Sequence, residues 1–297
     1  MKFSGLLFSV AIAAAAPAFV LEEHTNSTTT EISFSWDATW NQDFEIHKSC
    51  NLTQKNQLVQ AFTETKLLAQ HAKEHTLRFG NLSKFYRKYF GDAPSGEVVG
   101  LYENVISANK TGVLFRCDNI DGNCDIEGYA GHWRGSNATD ETVICDLSYT
   151  SRLFLSQVCS RGYTVAGSKN TIFWAGDLLH RIWHTDKIGQ GVVGHYADTY
   201  NECLDLAKNN ATYAIRNSAS LRYYAMDVYA YDIAVPGKGC TGKAPKDTST
   251  SQGSTASETV SETVSETASE TATKSKETGS DHGSECHTHA NGETHCV

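Results

Sequence analysis

No apolar run in this 297-residue chain is long enough to cross a membrane. The one sustained apolar stretch, residues 6–15, falls short of the roughly 20 residues that a spanning helix needs. No apolar segment closes the sequence, so no lipid-anchor signal is expected. A basic excess is also missing. Asp and Glu number 34 against 25 Lys and Arg, and the formal net charge of −9 argues against nucleic acid as a partner. Between residues 243 and 280 large apolar side chains almost vanish, and four Ser-Glu-Thr-(Val/Ala) units begin at Ser257. Such a stretch cannot bury enough surface to offset its ordering entropy, so a disordered linker is expected there.

What is present divides the rest of the chain. Residues 1–18 read as a secretory signal, with Lys2 at the positive end, the short apolar run, and Ala16-Pro17-Ala18 as a cleavage site. Residues 19–242 have the composition of one globular domain. Residues 281–297 form a separate His- and Cys-rich tail. Glycosylation sequons stand at Asn26, Asn51, Asn81, Asn109, Asn137 and Asn210. With nine cysteines they point to a secreted, disulfide-bonded protein, extracellular or cell-wall associated. Seven cysteines lie in the domain, so at least one is unpaired or pairs with the tail.

The domain reads α, then β, then α. Leu58, Phe62, Thr65, Ala69 and Ala72 recur at helical spacing, and the pattern runs towards Phe79. A helical patch over 85–90 stops near Gly91. The region 98–163 is richer in Gly, Cys and β-branched residues, with strands expected over 112–115 and 142–144. A helix over 171–185 follows, then a Gly-rich turn over 187–194. Two more helices are expected over 195–209 and from 218 to about 231.

The helix over 171–185 carries His180-Arg181-Ile182-Trp183-His184. Residues i and i+4 share a helix face, so both imidazoles can reach one metal ion. Zinc proteases place Glu after the first His, where it handles the proton of the bound water. Here Arg181 holds that place and cannot act as a base. It reads either as a solvated helix residue or, on the sharper reading, as a partner of Asp177, one turn earlier. Two carboxylates, Asp186 and Glu202, are the candidates for a substitute base. His71 and His75 repeat the i, i+4 spacing without an evident third ligand. His132, beside Trp133, reads as a loop or packing residue.

The α, β, α order with an HxxxH helix in the second half resembles the deuterolysin-like zinc endopeptidases, the aspzincins. A nearer resemblance is to a secreted fungal family with HRxxH in place of HExxH, whose members include a zinc-scavenging surface antigen and a mould allergen. The matching residues are Trp174-Ala-Gly-Asp-Leu-Leu-His180-Arg-Ile-Trp-His184, Gly194-His195-Tyr196-Ala197-Asp198-Thr199-Tyr200, and Cys286-His287-Thr288-His289-Ala290-Asn291-Gly292-Glu293-Thr294-His295-Cys296. They cover most of 40–240 plus the tail.

The resemblance implies a mainly helical α+β zincin-like fold with a small β region, and zinc as the bound metal. Aspzincins draw a third ligand from Gly-Thr-x-Asp. Here His195 stands at the Thr position and Ala197 at the Asp position, so the third ligand is His195 or Asp198. Asp198 is otherwise a fourth ligand, or a carboxylate holding a ring N–H. In the tail, Gly292 permits a hairpin that folds His295 and Cys296 back on Cys286 and His287. With His289 these form a second candidate metal site, unless Cys286 and Cys296 form a disulfide.

The implied function is zincophore-like: capture of extracellular zinc and its delivery to the cell, with a plasma-membrane zinc transporter as partner. Without the Glu no catalytic residue is assigned. Two alternatives stand beside it: an active secreted zinc endopeptidase, and a surface antigen or adhesin that binds host proteins and uses zinc structurally.

Overall fold

The computed structural model describes residues 35–244 and the backbone of 286–288 and 294–296. Residues 1–39 and 40–297 form two compact units. Of the first, only a turn over 35–39 is described, and every helix and strand named below belongs to the second. The signal segment, Asn26 and the linker from residue 245 onward lie outside the described residues.

The second unit is α+β. Its helices are α1 (Leu52–Phe79), α2 (Lys84–Phe90), α3 (Ser95–Ser107), α4 (Asp146–Ser151), α5 (Trp174–Trp183), α6 (Asp186–Gly189), α7 (Tyr200–Asn209), α8 (Ala211–Ala214) and α9 (Ser218–Tyr229). The strands are β1 (Glu45–Ile46), β2 (Leu114–Arg116), β3 (Gly131–Trp133), β4 (Glu141–Ile144), β5 (Cys286–Thr288) and β6 (Thr294–Cys296). A small sheet has the order β1-β2-β4-β3, parallel except for the antiparallel β3–β4 pair. This leaves β3 at an edge. Among the described residues no helix is long and apolar enough to cross a membrane.

The long helix α1 organises the core. Asn51 caps it by accepting from the Gln54 N–H, and the Gln54 side chain accepts from the Asn51 N–H in return. Its buried stripe of Leu58, Ala61, Phe62, Leu68, Ala69 and Ala72 packs against α3, α5 and α9. Tyrosines fill the space between helices and satisfy their hydroxyls there. Tyr102 donates to the Leu221 carbonyl at 2.7 Å, and Tyr89 donates to Asp227 at 2.9 Å. Every residue of α5 is buried, including Asp177, His180 and Arg181.

Three boundaries differ from expectation. The segment opening the supposed β region is helix α3, because Val98, Leu101, Tyr102 and Val105 fall at i, i+3, i+4, i+7 and are buried together. Helix α5 starts at Trp174 and ends at Trp183, leaving His184 as its C-cap. Helix α7 starts at Tyr200, so residues 195–199 form a loop. The capping box of Thr199 and Glu202 sets that start.

Three disulfides join Cys50 to Cys117, Cys124 to Cys145 and Cys159 to Cys240. Cys203, the remaining cysteine of the domain, is fully buried and, among the described residues, bonded to no other cysteine. Asn51, Asn81, Asn137 and Asn210 are exposed, while Asn109 is half-buried and its side chain accepts from the Asn41 and Thr111 N–H groups.

Candidate metal centre

Helix α5 delivers two of the expected residues. His180 lies on its buried face, and His184 closes its last turn. The loop before α7 delivers His195. Ligand atoms of the three rings lie within 4.8 Å of one another. Nε2 of His184 and Nε2 of His195 are 3.0 Å apart, with the ring planes only 5° from parallel. Two imidazole nitrogens bound tetrahedrally to one zinc ion sit about 3.3 Å apart, so the pocket is already near ligand geometry.

The outer nitrogens are held as well. Nδ1 of His180 is 3.0 Å from the Ser218 hydroxyl, and Nδ1 of His195 is 3.1 Å from Oδ1 of Asp198. A partner on Nδ1 fixes the tautomer and turns the Nε2 lone pair towards the shared point. Asp198 therefore stands behind His195 rather than among the three converging groups. The expected i, i+3 helical face for His195 and Asp198 is also not found, since both precede α7. Trp133, on β3, stacks on the His184 ring at 6.2 Å between centroids.

Asn217 and Ser218 position the site, and neither stood out in the sequence. The Asn217 side-chain oxygen accepts from the N–H groups of Tyr196 and Ala197, and its amide donates to the Ala197 carbonyl. A short parallel bridge fastens the same loop: the Gly194 N–H donates to Arg216 O, and the Ser218 N–H donates to Gly194 O. The available signal was an Asn-Ser pair immediately before a helical pattern, which reads only as a cap.

Arg181 pairs with Asp177, the sharper of its two readings. Its Nε donates to Oδ2 at 2.9 Å, while Nη2 of Arg152 donates to Oδ1 at 3.0 Å. The two guanidiniums hold the Asp177 carboxyl below its usual range despite burial, which acts the other way and more strongly on its own. The guanidinium of Arg181 lies against Gly131 of β3: a Cβ there would approach Nη1 to 2.8 Å. Glu202 is committed too, since it accepts from the backbone N–H groups of Asp198 and Thr199. Beside the histidines, a cavity of about 500 Å³ is lined by His195, Tyr196, Asp198, Glu202 and Asp205. His71 and His75 converge instead on one oxygen of Asp232, at 3.0 and 2.7 Å.

In the tail, β5 pairs antiparallel with β6, placing Cys286 opposite Cys296 and His287 opposite His295. Strand β5 lies beside β3.

Fold and site together define an α+β protein with a histidine triad of metal-ligand spacing, built on an HxxxH helix whose neighbouring arginine is locked in an ion pair. The profile described as "HRXXH: Putative peptidase family" matches residues 3–243, and the chain belongs to that family. It is 55% identical over 240 residues to the pH-regulated antigen PRA1 of Candida albicans, covering 80% of this chain and 79% of that one. It is 55% identical over 273 residues to the major allergen Asp f 2 of Aspergillus fumigatus, covering 90% and 88%. Protein ZPS1 of Saccharomyces cerevisiae is 41% identical over 202 residues, covering 66% and 79%. Among solved structures, a zinc peptidase from Grifola frondosa aligns with a TM-score of 0.44 at 16% identity, over 60% of this chain and 97% of that one.

Proposed function

We propose that this is a secreted zinc-binding protein of zincophore type, carried on a deuterolysin-like scaffold without peptidase chemistry. The observation that carries the reading is the convergence of His180, His184 and His195, two of them steadied from behind by Ser218 and Asp198. Neutral imidazoles at this spacing suit zinc, and a fourth position is left for water or a partner's ligand. Zinc is cargo in this reading. Peptidase chemistry would need a base at the bound water; Arg181 is paired with Asp177, and Glu202 accepts from backbone N–H groups at the start of α7.

The tail supplies a second, softer site from Cys286, His287, His289, His295 and Cys296. The pairing of β5 with β6 and the place of β5 beside β3, whose Trp133 stacks on His184, favour exchange of zinc between tail and body. Disulfides and exposed sequons support export. Delivery to a plasma-membrane zinc transporter, and contact with host proteins, belong to this proposal.

The test is zinc content and affinity of the secreted protein, compared with His180→Ala/His184→Ala and with a chain ending at Ser280. Each is also assayed on casein with zinc restored. Zinc lost site by site, without cleavage, is the expected outcome. Cleavage that disappears with the two histidines would overturn the proposal.

A further inference from the structure

A second convergence of ligand atoms lies on the other side of β3. An imidazole nitrogen of His132 and the sulfurs of Cys124 and Cys145 all fall within 4.8 Å of one another. The two sulfurs are joined as a disulfide, which accounts for the cysteines. It does not account for the histidine. His132 is 1% exposed, and its Nε2 lies 3.1 Å from Oδ2 of Asp121. Its Nδ1 is buried with no hydrogen-bond partner. Leaving a buried nitrogen unsatisfied costs roughly 1–3 kcal/mol. A carboxylate on one ring nitrogen and a bare lone pair on the other is the arrangement of a metal-ligating histidine.

Access and reach are adequate. A cavity of about 380 Å³ is lined by Cys124 and Cys145 together with Asp125, Glu127 and Asp146. Its carboxylates favour a cation at the mouth. The two Cα atoms are 5.4 Å apart. Zinc-bound thiolates sit about 3.7 Å from each other, a separation that side-chain rotation can supply from that backbone spacing.

We infer that Cys124, Cys145 and His132 form a latent site for a soft divalent cation such as Zn²⁺, closed while the disulfide stands and opened by a dithiol reductant. The dithiol gives up two electrons and two protons and becomes a cyclic disulfide, and Cys124 and Cys145 become thiols. The cation then binds both sulfurs and the His132 nitrogen, and the two thiol protons leave to solvent.

The site is independent of the histidine triad and of the tail, and the test keeps it so. The full-length protein is reduced with dithiothreitol under native conditions and alkylated with iodoacetamide, with and without Zn²⁺. Each cysteine is followed by peptide mass spectrometry. Zinc is expected to slow alkylation of Cys124 and Cys145 by about tenfold or more, and to leave the other four disulfide cysteines unprotected. The protection persists in His180→Ala/His184→Ala and is lost in His132→Ala. Equal rates with and without zinc, protection spread over all six cysteines, or loss of the folded near-ultraviolet spectrum on reduction would each overturn the inference.

Discussion

Asp177 is the residue on which the interior around α5 balances. It is 1% exposed and ion-paired to both Arg152 and Arg181. Removing one partner of a buried pair leaves charge without compensation, at a cost of about 3–5 kcal/mol. Asp177→Ala is therefore expected to lower stability by about that amount, read as a shift in the urea midpoint without a change in slope. A loss under about 1 kcal/mol would mean that water reaches the two arginines. The same pairing explains why arginine follows the first histidine. Its charge serves the packing of α5 against β3, and the shape of that contact depends on Gly131, where a side chain would collide with the guanidinium.

At the scale of elements, the loop over 194–198 brings His195 to the candidate centre, and α7 fixes where it ends. Thr199→Ala removes one cap hydrogen bond and should cost about 1 kcal/mol. Because His195 hangs four residues upstream, the same change should also weaken zinc binding, measured by competition with a chromogenic chelator. Unaltered zinc affinity with lowered stability would show that Asn217 and the Gly194 bridge hold the loop without the cap. Much of this level was legible in the sequence. The stripe from Leu58 onward, the helix bearing His180 and His184, the two strands, and the pairing of Arg181 with Asp177 all follow from local spacing. What escaped depends on contacts far along the chain. The start of α7 was misplaced because apolar periodicity runs back through Tyr196 and Ala197, while the decision rests with the Thr199 cap. Ser218 and Asn217 escaped because nothing near them in sequence marks a partner at His180 or Tyr196. Helix α3 was hidden by a region rich in Gly and Cys, although its own apolar spacing is helical.

The whole molecule is tied by buried imidazoles as well as by disulfides. His75 and His132 both have pKa values below the ordinary 6.5, with burial as the first cause in each. A depressed folded-state pKa means that the unfolded chain binds more protons as pH falls below 6.5. Their contribution is complete above 6.5 and is lost as pH falls through the folded values. The zinc-free protein should lose stability as pH falls below 6.5, as measured by urea unfolding at stepped pH. A flat profile over that window would show that Asp232 and Asp121 stabilise the imidazolium forms as fully as water does.

Cys203 adds a property of a different kind. Burial pushes its thiol up to about 12, and the Asn217 amide sits 3.4 Å from the sulfur, at the back of the loop that carries His195. A thiol so protonated and so covered does not react with a soluble reagent until the loop and α7 part from α9. The chain thus carries its own clock: with the disulfides intact, the labelling rate of this sulfur by a thiol reagent counts how often the floor of the histidine pocket opens, with no engineered cysteine.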